Sequence, residues 1–250
     1  MGAAFLCRME KQRPVKRLLK LFDPSGTRKY ITQITLILFS LLIATSVDRC
    51  RESEKNKAKL REYLTAIQVD LKQEIETCEM NLNDCENDMK CLSATLQNIN
   101  IPHPDSLERA LNGFAQVYWR GVFRSFSPTT FELMSETGDA NLLKNMELRN
   151  KLSSVFAFRT NVIKQDLEQF DKQTELCAEK MGQHVNLTML LYSSPFDEKC
   201  ITDKVGFLKS PHNEVFLLLR TANLRAFHLD TAIENLKEVE TELGEYLKVF

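Results

Sequence analysis

Very little in this chain can make a tight turn: its 250 residues hold eight glycines and seven prolines. An all-β fold, which needs turn residues every ~8–12 positions, is disfavoured on that ground. The chain also lacks the spacings that carry common chemistry. There is no CxxC, so the usual zinc and thioredoxin-type arrangements are missing. There is no HExxH, no GxSxG, no phosphate-binding loop and no dinucleotide fingerprint. Acidic residues are many, but they alternate with lysines along helical stretches as a solvated face does, and no catalytic carboxylate pair stands out. Neither an enzyme nor a cofactor or metal site is expected from this inventory.

What the chain does contain is long stretches rich in Leu, Glu, Lys, Gln and Asn, which favour helix. The net charge of −1 hides an asymmetry. Residues 1–30 carry eight Lys/Arg against Glu10 and Asp23, while the remainder is acidic overall. No basic face is implied for the large domain, so nucleic acid is not an expected partner. Residues 30–47, YITQITLILFSLLIATSV, hold no charge and are bounded by Lys29 and Asp48. Eighteen helical residues span ~27 Å, enough for a bilayer core. No small-x-small cleavage site precedes Asp48, so a retained transmembrane helix fits better than a signal peptide. In segment 14–22, Val15, Leu18, Leu19 and Phe22 share one helical face, as in a short amphipathic helix at an anionic leaflet. Pro24, Ser25 and Gly26 read as a turn into the span.

Beyond the span, apolar residues fall at Leu60, Leu64, Ile67, Leu71, Ile75, Cys78, Leu82, Cys85, Met89, Leu92 and Leu96. Their spacing is a heptad seam with one stutter near Ile75. A helix over about residues 49–97 follows, ~70 Å long, weakest at NLNDCEND, residues 81–88. Residues 145–183 and 211–249 carry two more apolar stripes, and Ser210-Pro211 reads as the start of the last helix. The expected fold is mainly α: one transmembrane helix, then a long antiparallel three-helix coiled-coil-like bundle with a small helical distal cap. The domain boundaries are a basic tail over 1–29, the span over 30–47 and the helical domain over 48–250. Residues 98–144 are assigned to the cap and 184–210 to a membrane-proximal connection, a loop or a short hairpin over 192–208. Within the cap, Ser127-Pro128 begins a short helix and Gly138 ends one.

The cap is aromatic, with Phe114, Tyr118, Trp119, Phe123, Phe126 and Phe131. Large aromatics mostly bury area, so Trp119 is expected inside a mini-core. The alternative is a partner-binding surface made by Trp119, Arg120 and Arg124, since Trp and Arg dominate binding hot spots. Of the seven cysteines, Cys177 and Cys200 are placed at one end of the bundle, where a disulfide is permissible in an oxidising compartment. Cys78, Cys85 and Cys91 lie on one helix at axial separations of ~9–10 Å, too far to pair with their neighbours. His103, His184, His212 and His228 match no ligand spacing. Asn186-Leu187-Thr188 is formally a glycosylation acceptor.

The basic tail, the span, REYLTAIQVDLKQEIE at 61–76, FSPTTFELMSETGDANLLKNMELRNKL at 126–152 and the helical end together resemble an uncharacterised family of bacterial single-pass membrane proteins, a domain of unknown function. The sharpest part is Ser127-Pro128-Thr129-Thr130, Gly138, Asn141-Leu142-Leu143 and Glu147-Leu148-Arg149. The end of the span departs from the family's Asn/Trp-rich pattern, with Ser46, Asp48, Arg49 and Cys50 there instead. The resemblance implies an inner-membrane location and supplies no activity.

The expected function is a membrane-anchored interaction or scaffold protein, contacting the lipid bilayer and either a protein partner or further copies of itself. The alternatives are a ligand-sensing domain that signals through a separate partner and, less well supported, an enzyme. The basic tail favours a cytoplasmic N-terminus and a periplasmic C-terminal domain, by a narrow margin because Asp48–Glu62 also holds six Lys/Arg. A reporter fused after Phe250 is therefore expected to be active only when it works outside the cytoplasm; activity of a cytoplasm-only reporter at that position reverses the orientation.

Overall fold

The structure, a computed structural model, describes residues 24–120, 126–192 and 198–250. The amphipathic segment 14–22, Phe123 and Arg124 lie outside them. The chain is mainly helical, and the described residues contain no strand, only a single bridge between Val185 and Ile201. The helices are α1 Pro24–Asn98, α2 Pro104–Arg120, α3 Thr130–Glu136, α4 Met146–Phe158, α5 Lys164–Gly182, α6 Leu187–Tyr192, α7 Lys204–Phe207 and α8 His212–Val249. A π turn, Arg159–Ile163, joins α4 to α5 without a break. Two compact units result, one ending at Ala58 and the other Lys59–Phe250.

In the first unit, Pro24-Ser25-Gly26 is not a turn before the span but the first turn of α1 itself. Proline tolerates that position because its missing N–H would have no intrahelical acceptor there. The apolar stretch has a window of mean hydropathy 1.9 and none of it is buried, so it is long and apolar enough to cross a membrane. Its hydroxyls do not interrupt it. Thr35 donates to the Ile31 carbonyl at 2.8 Å, Ser40 to Leu36 at 2.8 Å and Ser46 to Leu42 at 2.7 Å, so each polar group is satisfied within its own helix.

The second unit contains four antiparallel runs rather than three. As α1 is followed back from Asn98 toward Lys59, its partners advance along the chain. Thr95 donates to the Ala110 carbonyl at 3.1 Å, Cys91 to Gln116 at 3.0 Å, and Asp88 pairs with Arg120 at 2.8 Å. Asp70 then accepts the Thr130 N–H at 2.6 Å, and Asp139 accepts from Lys59 at 2.7 Å and Tyr63 at 2.8 Å. Residues 104–142 therefore return along the whole of this part of α1. Helices α4 and α5 form the third run. The fourth, α8, is antiparallel to it: Lys151 meets Glu238 and Glu242, Asp166 meets His228, and Phe170 meets Arg225. It is antiparallel to α1 as well, through Gln68–Glu240, Glu79–Lys237 and Asn100–His212.

The assignment of 98–144 to a distal cap is thus corrected. Pro102 and Pro104 stand at the start of the second run and Pro128 at the break between α2 and α3, so no single apolar stripe runs the whole length of it. Four runs replace the expected three. The 184–210 connection moves with it: His212 beside Asn100 and the packing of α6 on α2 put that connection at the Asn98 end of the unit, opposite Lys59. In the remaining turns, Gly138 ends the α3 segment with φ 78°, a left-handed conformation that favours glycine. The N-cap of α3 is Thr129 rather than Ser127; its hydroxyl accepts from the Glu132 N–H while Glu132 accepts from the Thr129 N–H, a capping box. In the last helix Pro211, in place of the expected Ser210, occupies the N-cap position, and no side chain caps it.

The seam of α1 contains no stutter. One buried column runs Leu60, Leu64, Ile67, Leu71, Glu74, Cys78, Asn81, Cys85, Asp88, Leu92, Thr95 and Ile99, alternating by four and three throughout, and Ile75 is buried beside it. From residue 74 on, one of the two seam positions is polar: Glu74, Asn81, Asp88 and Thr95 stand seven residues apart. Helix α8 keeps the same rhythm through Val215, Leu218, Ala222, Arg225, Leu229, Ala232, Leu236, Val239 and Leu243. The core falls into two apolar clusters. On α1 one ends at Cys85 and the other begins at Leu92; on α8 they meet either side of Arg225. Asp88 and the fully buried Arg225 occupy that division.

Burial pushes the Asp88 carboxyl up to about 7, against the opposing pull of Arg120 and Arg225. The folded protein therefore keeps a proton that the unfolded chain has released above pH ~4, so Asp88 subtracts stability as pH rises from ~4 toward 7. In urea unfolding at several pH values, Asp88→Asn is expected to gain on the wild type across that window and to run parallel to it above. A difference independent of pH between 4 and 7 refutes the raised pKa.

Candidate functional site

The third run carries one residue more than its heptads need. Leu148 and Val155 are buried seven apart, which points next to residue 162; the buried positions that follow are Ile163, Phe170 and Cys177. The π turn absorbs the extra residue, with the Lys164 N–H donating to the Arg159 carbonyl five residues back. Both halves of the run thereby face the core, and Arg159 enters the space between the runs.

There Arg159 holds two carboxylates. Its Nη1 donates to Glu74 Oε1 at 2.5 Å and to the Ser127 carbonyl at 3.0 Å; its Nη2 donates to Glu132 Oε1 at 2.5 Å. The guanidinium also lies 5.8 Å from the Phe126 ring centroid and 5.6 Å from that of Phe156. One side chain thus ties together the first, second and third runs. The Ser127-Pro128-Thr129-Thr130 segment gains a physical role from this: its carbonyl and its capping-box glutamate are both ligands of Arg159.

The two carboxylates are not equivalent. Burial raises the pKa of Glu74 above the usual carboxylate range, and the charge and hydrogen bond of Arg159 offset this only in part. Burial acts upward on Glu132 too, but there the Thr129 N–H and Arg159 outweigh it and hold the carboxyl low. Glu74 is 6% exposed, and its Oε2 is buried with no hydrogen-bond partner.

Glu74 stands on the wall of a cavity of about 250 Å³, partly open to solvent, lined by α1, α4, the π turn and α8. Cys78, Val155, Phe156, Ile163, Leu236 and Val239 supply apolar walls, and Lys151, Asn235 and Glu238 bring polar groups to the lining. Cys78 is no nucleophile in this setting, since burial pushes its thiol up to about 12. An apolar chamber with a few convergent polar groups is the form small-molecule sites take.

The residues singled out from sequence lie elsewhere. Trp119 is 57% exposed, which corrects its expected place in a mini-core. Phe114 and Leu111 define the inner face of α2, and Trp119 falls ~140° round the helix from Phe114, at ~100° per residue. Arg120 turns inward, pairing with Asp88 and donating to the Asp84 carbonyl. Arg124 lies outside the described residues. Cys177 and Cys200 belong to the same apolar cluster, both buried, and both are free thiols with no disulfide between them. His184 pairs with Asp203 at 3.0 Å, and Gly206 packs so closely on both that a β-carbon there would collide with them.

The Arg159 cluster and its cavity were missed from sequence. Glu74 reads as one more charge on a solvated face until the seven-residue spacing of Glu74, Asn81, Asp88 and Thr95 is noticed, and nothing local marks the π turn. Compared with protein-family models, with curated proteins and with solved structures, the chain matches none.

Removing one partner of a buried ion cluster leaves an uncompensated charge, at about 3–5 kcal/mol. Arg159→Met is expected to lower unfolding free energy by about that amount, and the double variant Glu74→Leu/Arg159→Met to recover most of it. Chemical denaturation checks both; a single variant as stable as the wild type contradicts the assigned role of Arg159.

Proposed function

We propose that this chain is a membrane-anchored helical interaction protein, held by the apolar stretch of α1 with its N-terminus in the cytoplasm and its helical domain outside, in a bacterial inner membrane. The observation that carries the interaction reading is the exposed ring of Trp119 on the last turn of α2, on the face turned away from the buried Leu111 and Phe114. Tryptophan exposed in this way is the side chain most enriched where protein partners are bound tightly. Along α8, Phe216, Leu217, Leu224 and Phe227 are exposed too, adding apolar surface to the same unit. The high thiol pKa of Cys78 and the pairing of Arg159 with both nearby carboxylates fit a binding role better than a catalytic one.

A second reading is favoured by the cavity at the π turn: a ligand-receiving domain, whose output would pass to a separate membrane partner.

A photo-crosslinker at position 119, used in native membranes, tests the first reading. One stoichiometric protein adduct is expected, and Trp119→Ala is expected to weaken the purified complex by at least about thirtyfold, the effect of losing one hot-spot residue. Adducts to lipid alone, or a complex indifferent to Trp119→Ala, remove the interaction reading from this surface.

A further inference from the structure

We propose that the cavity at the π turn binds a small organic ammonium ion with an apolar body. The proposal rests on the ligand-receiving reading and gives it a chemical class.

The size of the chamber sets the scale. A cavity of 150 Å³ accepts benzene, so about 250 Å³ suits a compact molecule of about ten non-hydrogen atoms. Most of its wall is aliphatic, sulfur or aromatic, which suits a body without polar groups. The polar demand is concentrated at Glu74, whose Oε2 is shielded from water and has no donor. A buried acceptor left without a donor is costly, so a ligand in the chamber gains if a small shift of the Glu74 side chain lets its N–H or O–H reach this oxygen.

Charge selects among donors. Among the described residues Arg159 is shared between the two carboxylates Glu74 and Glu132, so this cluster of three has a surplus of one negative charge when both are ionised. Lys151, the other cation of the lining, is committed to Glu238 and Glu242 at 3.0 and 2.7 Å. An anion would add to that surplus. A neutral alcohol would satisfy the oxygen without balancing the charge. An ammonium group does both, and Phe156 and Phe158 on the wall offer aromatic rings that suit a cation as well as an apolar chain.

The test uses the full chain in lipid nanodiscs, with empty nanodiscs subtracted, and three probes of one shape: 2-phenylethylammonium, 2-phenylethanol and phenylacetate. Calorimetry or ligand-observed NMR is expected to show saturable one-site binding of the ammonium, about tenfold or more tighter than the alcohol, and none of the acid. Glu74→Gln keeps the side-chain volume and is expected to erase the preference for the ammonium over the alcohol. Val155→Phe leaves Glu74 in place, fills the chamber and is expected to abolish binding of every probe, with helicity checked by circular dichroism. Equal binding of alcohol and ammonium to the wild type overturns the ammonium class while leaving a ligand cavity. Binding of none of the three, or binding that survives Val155→Phe, overturns the site together with the ligand-receiving reading.

Discussion

Glu74, Asn81, Asp88 and Thr95 direct one polar side chain per heptad into a space otherwise filled by leucine, isoleucine and cysteine. A polar group removed from water without a partner costs roughly 2–7 kcal/mol, so each of these must be met by a particular atom of another run. Thr95 is met by the Ala110 carbonyl, and this contact brings α2 so near that Gly113 has the Thr95 hydroxyl and the Cys91 carbonyl where a β-carbon would stand. Asp88 is met by Arg120 and Glu74 by Arg159. An apolar seam can slide by a heptad and remain apolar. A seam with these partners has one register, and the placement of the broken second run follows from it.

The polar positions also divide the core. Asp88 on α1 and Arg225 on α8 occupy the level at which one apolar cluster ends and the other begins. Burial lowers the pKa of Arg225, opposed by Cys85, Asp88, Asp171 and Asp166, and its guanidinium lies 5.3 Å from the Phe170 ring centroid. Charges taken from water at such a level add little net stability, because desolvation consumes most of the Coulomb gain. Their contribution is better described as specificity: they bring α1, α2 and α8 to matching heights.

Helix content was legible in the sequence because periodicity over dozens of residues outweighs local propensity. NLNDCEND does not break α1, since Asn81, Cys85 and Asp88 are the buried members of that stretch. The membrane-length apolar stretch and the left-handed Gly138 were equally plain. The topology was not. Following only apolar residues carried the seam to Ile75, Leu82, Met89 and Leu96, which do border the core, Ile75 buried and the others partly so, and passed over the polar column one position before them, so that the seam read as a stutter. The second run was hidden for a related reason: the apolar face of α2, through Leu107, Leu111 and Phe114, stops before Arg120, and beyond it the run is tied to α1 by individual polar contacts, from Asp88–Arg120 to Tyr63–Asp139. Pairings of that kind leave no periodic signal. Trp119 was misplaced because residue type was weighed without its angular position on α2.

The π turn and the cavity follow from one another. Before the turn, Leu148, Leu152 and Val155 pack inward; after it, Ile163, Phe170 and Cys177 do. Without the additional residue, a regular helix aligned on the first set would turn the second set ~100° away from the core. Widening the helix by one residue restores the alignment, but it also spreads the backbone where α4 becomes α5. The space opened there is lined by residues from both sides of the turn, Phe156 and Ile163 among them. Arg159 is the first residue of the turn and projects into the same region, toward Glu74 and Glu132. The insertion that keeps the third run in phase is therefore also what brings a charged cluster and an open chamber to one point of the bundle, which accounts for finding both where the helix is irregular.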